Sequence, residues 1–457
     1  MGNKLPIYIF VTACCLYVGN LYAKVSPEEA KRLGQDLTPM GAEKAGNADG
    51  SIPPYTGEIL GTPKWVDYPG TGHHYPDPYK DDKVLFWITA ENVAQYKDKL
   101  SEGTLKLFER YPESFKMPIY KSRRDTRYDD FTHEQIRINA VNAVLANNNN
   151  GVNGTFGGTP FPIPQNVHEV LWNHLFHQIW WSYTGTYSQA AVYDSGKSAF
   201  KKYTVFFRVT MYDRESGRAA FDNLAAYFVM NTLEPARQKG ELILVHEYSD
   251  QMRDPRAAWV YIPGTRRVRR APTVGYDNPS GTGGLRTDDD GQGYNGASDR
   301  YDWRLVGKKE MYIPYNNYAW GNPKLKYNEL LTPHHPPPEM TRYELHRVWM
   351  VEGTLKPGAR HVYARRLFYQ DEDSWMIVLA DNFDGEGGLW RSLQLLSVNA
   401  FDMPGVVGTI ELEYDFHAKA YLVDKLNNEE PESQKVLSTP LPTKFFTPAN
   451  LRQLGKN

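Results

Sequence analysis

The stretch Lys201 to Asp213, KKYTVFFRVTMYD, decides the class of fold. Tyr203, Val205, Phe207, Val209 and Met211 recur at every second position, while Lys202, Thr204, Arg208 and Thr210 stand between them. A side-chain period of two belongs to a strand with one buried face, because a helix repeats every 3.6 residues. The same alternation returns in TIELEYDFHA, where Ile410, Leu412, Tyr414 and Phe416 oppose Glu411, Glu413, Asp415 and His417. Further strand-type runs lie near 187–193, 225–231, 241–248, 257–263, 303–313, 343–352, 361–370, 375–380 and 390–398. No helical pattern separates them. They predict a large, strongly curved antiparallel sheet, and so an α+β fold dominated by β structure.

The helical signals lie upstream. The spacing predicts helices over 90–110, over 133–146 with Thr132 and Gln135 in capping-box spacing, and over 167–181 starting at Asn166. The last carries the stripe Val167, Val170, Leu171, Leu175 and Ile179. Residues 24–83 are rich in Pro, Gly and Tyr and predict an irregular surface wrap with one short helix at Pro27 to Gly34. The expected organisation is an export signal over 1–23, wrap and helices over 24–184, the sheet over 185–430 and a tail over 431–457.

One-sided strands expose an apolar face that something must cover. Either the sheet closes on its own side chains or it keeps a cavity for an apolar ligand. Tyr203, Val205, Phe207, Val209 and Met211, with Ile410, Leu412, Tyr414 and Phe416, are the candidate lining.

Lys plus Arg number 52 against 54 for Asp plus Glu, a balance that argues against a nucleic-acid partner. The N-terminus reads as an export signal: one cation at Lys4, an apolar run from Leu5 to Val18, and Leu21-Tyr22-Ala23 before a polar segment. Cleavage after Ala23 would put the mature protein in an exported compartment and remove both cysteines, Cys14 and Cys15, so no disulfide or thiol chemistry is expected. Lipid anchoring at Cys14 is the alternative, since Val11-Thr12-Ala13-Cys14 has the form of a lipoprotein processing site.

Arg266, Arg267, Arg269 and Arg270 fall within five residues, just after the turn Pro263-Gly264. A Gly- and Asp-rich loop over 271–300 follows, too long to be idle in a compact domain. Three readings stand together for the arginines: a latch that the acidic loop closes, a solvated structural strand, and a contact for an anionic head group or a partner.

Other motifs give no catalytic or cofactor signal. Asp288-Asp289-Asp290-Gly291 lacks the spacing of a calcium loop, and His168, His174 and His177 read as helix boundary residues rather than metal ligands. Gly196-Lys197-Ser198 is read as a hairpin turn, because strands rather than a helix follow it. Asp371-Glu372-Asp373 and the acidic run 381–386 read as solvated turns. No enzyme activity, metal or cofactor is expected.

The strings AWVYIPGTRRVRRAPTVGYDNPSGTGG, DRYDWRLVGKKEMYIPYNN and YELHRVWMVEGTLKPGARHVYARRLFYQDEDSW resemble the exported Gram-negative proteins of the domain of unknown function 1329 family. That family is similar to outer-membrane lipoprotein-sorting proteins of the LolA/LolB type. The resemblance implies a half-barrel with helices packed on its open concave side and a hydrophobic interior. It also implies association with export pumps of the RND superfamily and an outer-membrane partner protein. The expected function is a periplasmic carrier or chaperone of lipids, lipoproteins or other hydrophobic envelope molecules. The rivals are a β-rich enzyme acting on envelope glycan or lipid, and a non-catalytic adaptor.

Overall fold

The computed structural model describes residues 25–177, 181–271 and 276–456. The export signal expected over 1–23, with Cys14 and Cys15, lies outside the described residues, as do Ile179 and the start of the long loop. Among the described residues no helix is long and apolar enough to cross a membrane.

Two meanders make the main sheet. The first runs through β1 (Ser182–Tyr193), β2 (Ser198–Val209), β3 (Leu224–Glu234), β4 (Leu242–Tyr248), β5 (Ala257–Ile262) and β6 (Arg267–Ala271), each antiparallel to the one before. The chain then returns to build β7 (Tyr301–Pro314), β8 (Tyr343–Leu355), β9 (Arg365–Asp371), β10 (Ile377–Phe383), β11 (Leu389–Ala400), β12 (Gly405–Asp415) and β13 (Ala420–Leu426). Strand β13 pairs with β1 in the register Leu422 to Ala191 and joins the two meanders.

The sheet is mixed rather than purely antiparallel. Strand β8 meets the short strand Met117–Ile119 in parallel at Tyr343, and Phe86–Ile88 lies beyond it. That segment arrives from the N-terminal wrap, so no tight turn dictates its direction. Among the described residues the sheet counts sixteen strands and stays open, because its outermost strands do not pair with each other. Bulges at Val423/Leu426, Leu396/Ser397 and Lys202/Tyr203 bend individual strands.

The sheet has two apolar faces, and both are covered. On the inner face the stripe of β2 meets Phe228 and Met230 of β3 across the register. Helix α3 (Val167–Leu175) lies against this face: Gln370 donates to the Val170 carbonyl at 2.8 Å, and His174 bonds through its two ring nitrogens to the Ile377 N–H and the Tyr294 carbonyl. On the outer face α1 (Glu102–Arg110) packs Leu107 and Phe108 against Leu412 and Tyr414. Helix α4 (Pro448–Leu454), with Phe446, covers Val229, Leu244 and Tyr261. Helix α3 packs on the inner side as expected, whereas α1 and α4 cover the outer side, since β2 and β12 direct their apolar stripes to opposite sides of one sheet.

The helix starts follow local chemistry. Asn166 caps α3 as predicted, accepting from His168 and Glu169. The helix α2 (Asp130–Asn142) is capped by Asp129, whose carboxylate accepts from the Thr132 N–H, and so begins earlier than Thr132. The expected helix over 90–110 divides into two single turns and α1, with Ser101 as the cap of α1.

Candidate functional site

A cavity of about 500 Å³ opens on the inner face of the sheet. Its apolar wall is the stripe Tyr203, Val205, Phe207, Val209 and Met211, continued by Phe228 and Met230 of β3 and Ile243 and Val245 of β4. Leu175, Phe176 and His177 close it from the side of α3. The size falls within the ~300–1,000 Å³ of pockets that hold small molecules. The four candidate residues of β2 and Met211 in the turn after it therefore stand together at one wall.

The four candidates on β12 and at its end divide. Ile410 borders the cavity, but Leu412, Tyr414 and Phe416 do not. The register sets Leu412 opposite Val423 and Tyr414 opposite Tyr421, and all four belong to the outer core beneath α1. The alternation was read correctly and its side was not. Period two shows that a strand has an apolar face, not which side of the sheet that face takes.

The inward positions of β12 are instead Glu411, Glu413 and Asp415, all buried. Arg286, reaching in from the long loop, meets Glu411 at 2.9 Å, Glu413 at 3.4 Å and Asp424 at 2.8 Å. Lys425 adds a contact to Glu411 at 2.9 Å, and Tyr203 donates its hydroxyl to Asp424. Burial works against ionising Glu411, yet Lys425 and Arg286 hold its carboxyl below the usual range. Burial pushes the Glu413 carboxyl well above that range. Hence the cavity has an apolar wall and one charged, hydrogen-bonded end.

The loop does not latch onto the hairpin arginines. Arg366, fully buried, takes Asp289 at 2.8 Å and donates to Asp290, and His361 stands 3.1 Å from Asp289. A buried guanidinium needs those carboxylates, whereas an exposed one is satisfied by water. Arg266, Arg267, Arg269 and Arg270 are exposed, and among the described residues no carboxylate lies within ion-pair distance of them. Arg267 and Arg269 pair with Ile262 and Val260, so they alternate with Val268 and Arg270 as the sequence implies. Asp289 and Asp290 are thereby taken up in ion pairs with Arg366.

Asp371-Glu372-Asp373 is not the solvated turn expected. Glu372 pairs with Lys308 at 2.6 Å and Arg347 at 2.8 Å, while Arg124 grips both oxygens of Asp373 at 2.7 and 2.8 Å. Ligand-type atoms of His346, Asp371 and Asp373 all lie within 4.8 Å of one another. Burial opposes the charge on His346, but the Asp373 and Glu344 carboxylates beside it raise its pKa to about 9. The arrangement is a buried ion-pair network. His174 and His177 stack at 4.7 Å, and burial keeps both rings below their ordinary range.

The sequence reading missed Phe228, Met230, Ile243 and Val245, although their alternation is as regular as that of β2. It also missed Lys201, Gln189 and Gln434, which line the charged end. A polar residue beside an apolar stripe carries no sequence signal that separates a cavity group from a solvated one.

A family model described as a protein of unknown function, DUF1329, matches residues 87–452. The uncharacterized protein PA3922 of Pseudomonas aeruginosa is 42% identical over 456 residues, covering 99% of each chain. Among solved structures, the chain is similar to a DUF1329 family protein from Desulfovibrio piger, with a TM-score of 0.41 and 15% identity over 60% of this chain and 93% of that one. It is also similar to the LolA superfamily protein NE2245 from Nitrosomonas europaea, with a TM-score of 0.37 and 13% identity over 62% and 98% of the two chains.

Proposed function

The chain belongs to the DUF1329 family, and on that premise we propose that it carries a lipid or another hydrophobic molecule of the cell envelope in its inner-face cavity. The observation that carries this reading is the open space against the β2 stripe. Four alternating side chains of β2, with Met211 of the turn after it, border a cavity of about 500 Å³. Nothing in the transfer of an oily molecule requires chemistry. Each CH₂ moved from water into such a cavity gains ~0.8 kcal/mol, so a chain of about 16 carbons gains on the order of 13 kcal/mol gross. Ordering the ligand and the side chains around it offsets much of that gain.

The periplasm as the place of action rests on the export signal read in residues 1–23. Service to an RND-type pump and an outer-membrane partner rests on the sequence resemblance, and affinity purification from solubilised envelopes tests it. The carrier reading is tested by organic extraction and mass spectrometry of the protein purified from its own host. A lipid present near one per chain supports it. Protein that carries no lipid and binds no fluorescent fatty acid overturns it.

A further inference from the structure

At the charged end of the cavity some donors are matched by carboxylates and others, among the described residues, are not. Arg286 and Lys425 are taken by Glu411, Glu413 and Asp424, and Arg256 by Glu247 at 2.8 Å. Asp424 in turn accepts from Tyr203, Arg286 and the Lys425 N–H. Lys201 also lines the cavity, and among the described residues no carboxylate lies within ion-pair distance of its ammonium. Burial draws its pKa below the ordinary value.

Two amides stand with it. Gln189, paired with Lys201 across the β1 and β2 register, accepts from the N–H and hydroxyl of Thr282 through its oxygen. Its amino group has no partner among the described residues. Gln434 accepts from the Tyr187 hydroxyl at 2.8 Å, and its buried amino group is likewise unpartnered. Tyr187 lies opposite Tyr203, which places all three donors around the same end of β2.

Resting on the carrier reading, we propose that Lys201, Gln189 and Gln434 bind the anionic head group, carboxylate or phosphate, of a single-tailed amphiphile whose tail lies along β2. An anion supplies the acceptors that these donors lack, and the Gln434 amino group, buried and unpaired, is costly without one. The dimensions agree. Six residue steps from Tyr203 to Val209 cover roughly 20 Å at ~3.3 Å each. One tail in a bilayer leaflet occupies about 15 Å, half of the ~30 Å hydrocarbon core.

The test compares dodecanoate, dodecyl phosphate and dodecanol, with acetate and inorganic phosphate as head groups alone, each displacing cis-parinaric acid from delipidated full-length protein. The acids are expected to bind tenfold to a hundredfold more tightly than the alcohol, the range of a charge-assisted hydrogen bond. Lys201→Met is expected to abolish that preference while leaving dodecanol affinity within about threefold, and Lys201→Arg to retain it. The acid that gains more identifies the head group. Equal affinity for dodecanol and the acids, or a preference that survives in Lys201→Met, overturns the head-group site while the carrier reading stands. Failure of every tailed probe to bind overturns both. Acetate or phosphate competing as well as the tailed acids would show a free-anion site and overturn the amphiphile.

Discussion

Met230 offers the most direct test of the cavity. It lies on β3 between Val205 and Ile243 across the two registers, with its side chain part of the apolar wall. Replacing it by Trp puts an indole where the middle of a tail would run. If the ring displaces about four methylenes, the loss at ~0.8 kcal/mol each is about 3 kcal/mol, or roughly 150-fold in affinity. A tail that reseats along Phe207 or Val245 recovers part of this, so at least tenfold weaker binding is expected. The assay is cis-parinaric acid titration beside thermal unfolding. Met230 is only partly buried, so Met230→Trp should melt near the wild type. Wild-type affinity in a variant that melts normally would refute the placement of the ligand on this wall.

The remaining predictions separate the site from its scaffold. Leu412→Ala removes a buried side chain of the outer core, so it should cost about 2–5 kcal/mol in urea unfolding yet leave fatty-acid affinity unchanged. Arg366→Met strands Asp289 and Asp290 as buried carboxylates, and a loss of about 3–5 kcal/mol is expected by the same measurement. Burial lifts Asp381 to about 6, above its unfolded value of ~3.9, so the unfolded chain releases this proton first and stability falls as pH rises between about 4 and 6. Asp381→Asn should therefore match the wild type near pH 3.5 and exceed it by up to about 3 kcal/mol at pH 8, compared by urea midpoints. Arg269→Ala, on an exposed residue without an ionic partner among the described residues, should change stability by less than about 0.5 kcal/mol and leave its salt dependence unaltered.

Much of the fold was legible because one-sided strands advertise themselves. Strand β2 shows the gain: its alternating residues Tyr203 to Val209 marked both the element and its apolar side. Strand β12 shows the limit. Its apolar set was equally plain, but the side it takes depends on the pairing of β13 with β1 and on the arrival of α1, both remote in sequence. Glu411 and Glu413 have the pattern of a solvated face and are buried, because Arg286 comes from a loop more than a hundred positions away. The Asp289 and Asp290 pair likewise misled toward the neighbouring arginines, since nothing local points to Arg366. Short-range periodicity records what each strand needs to hide, whereas charge pairing is settled only when distant segments meet.

The seam between β1 and β13 also governs how the protein can be made. Strand β1 leaves the ribosome far ahead of the neighbours on its other edge, and until Ala420–Leu426 and then Lys435–Val436 follow, one row of its backbone groups stands bare in what will become the middle of the sheet. A product that stops short of that segment therefore presents a ready template for intermolecular pairing. Premature termination should yield aggregates, and nascent molecules should depend on holding factors until the whole polypeptide has emerged.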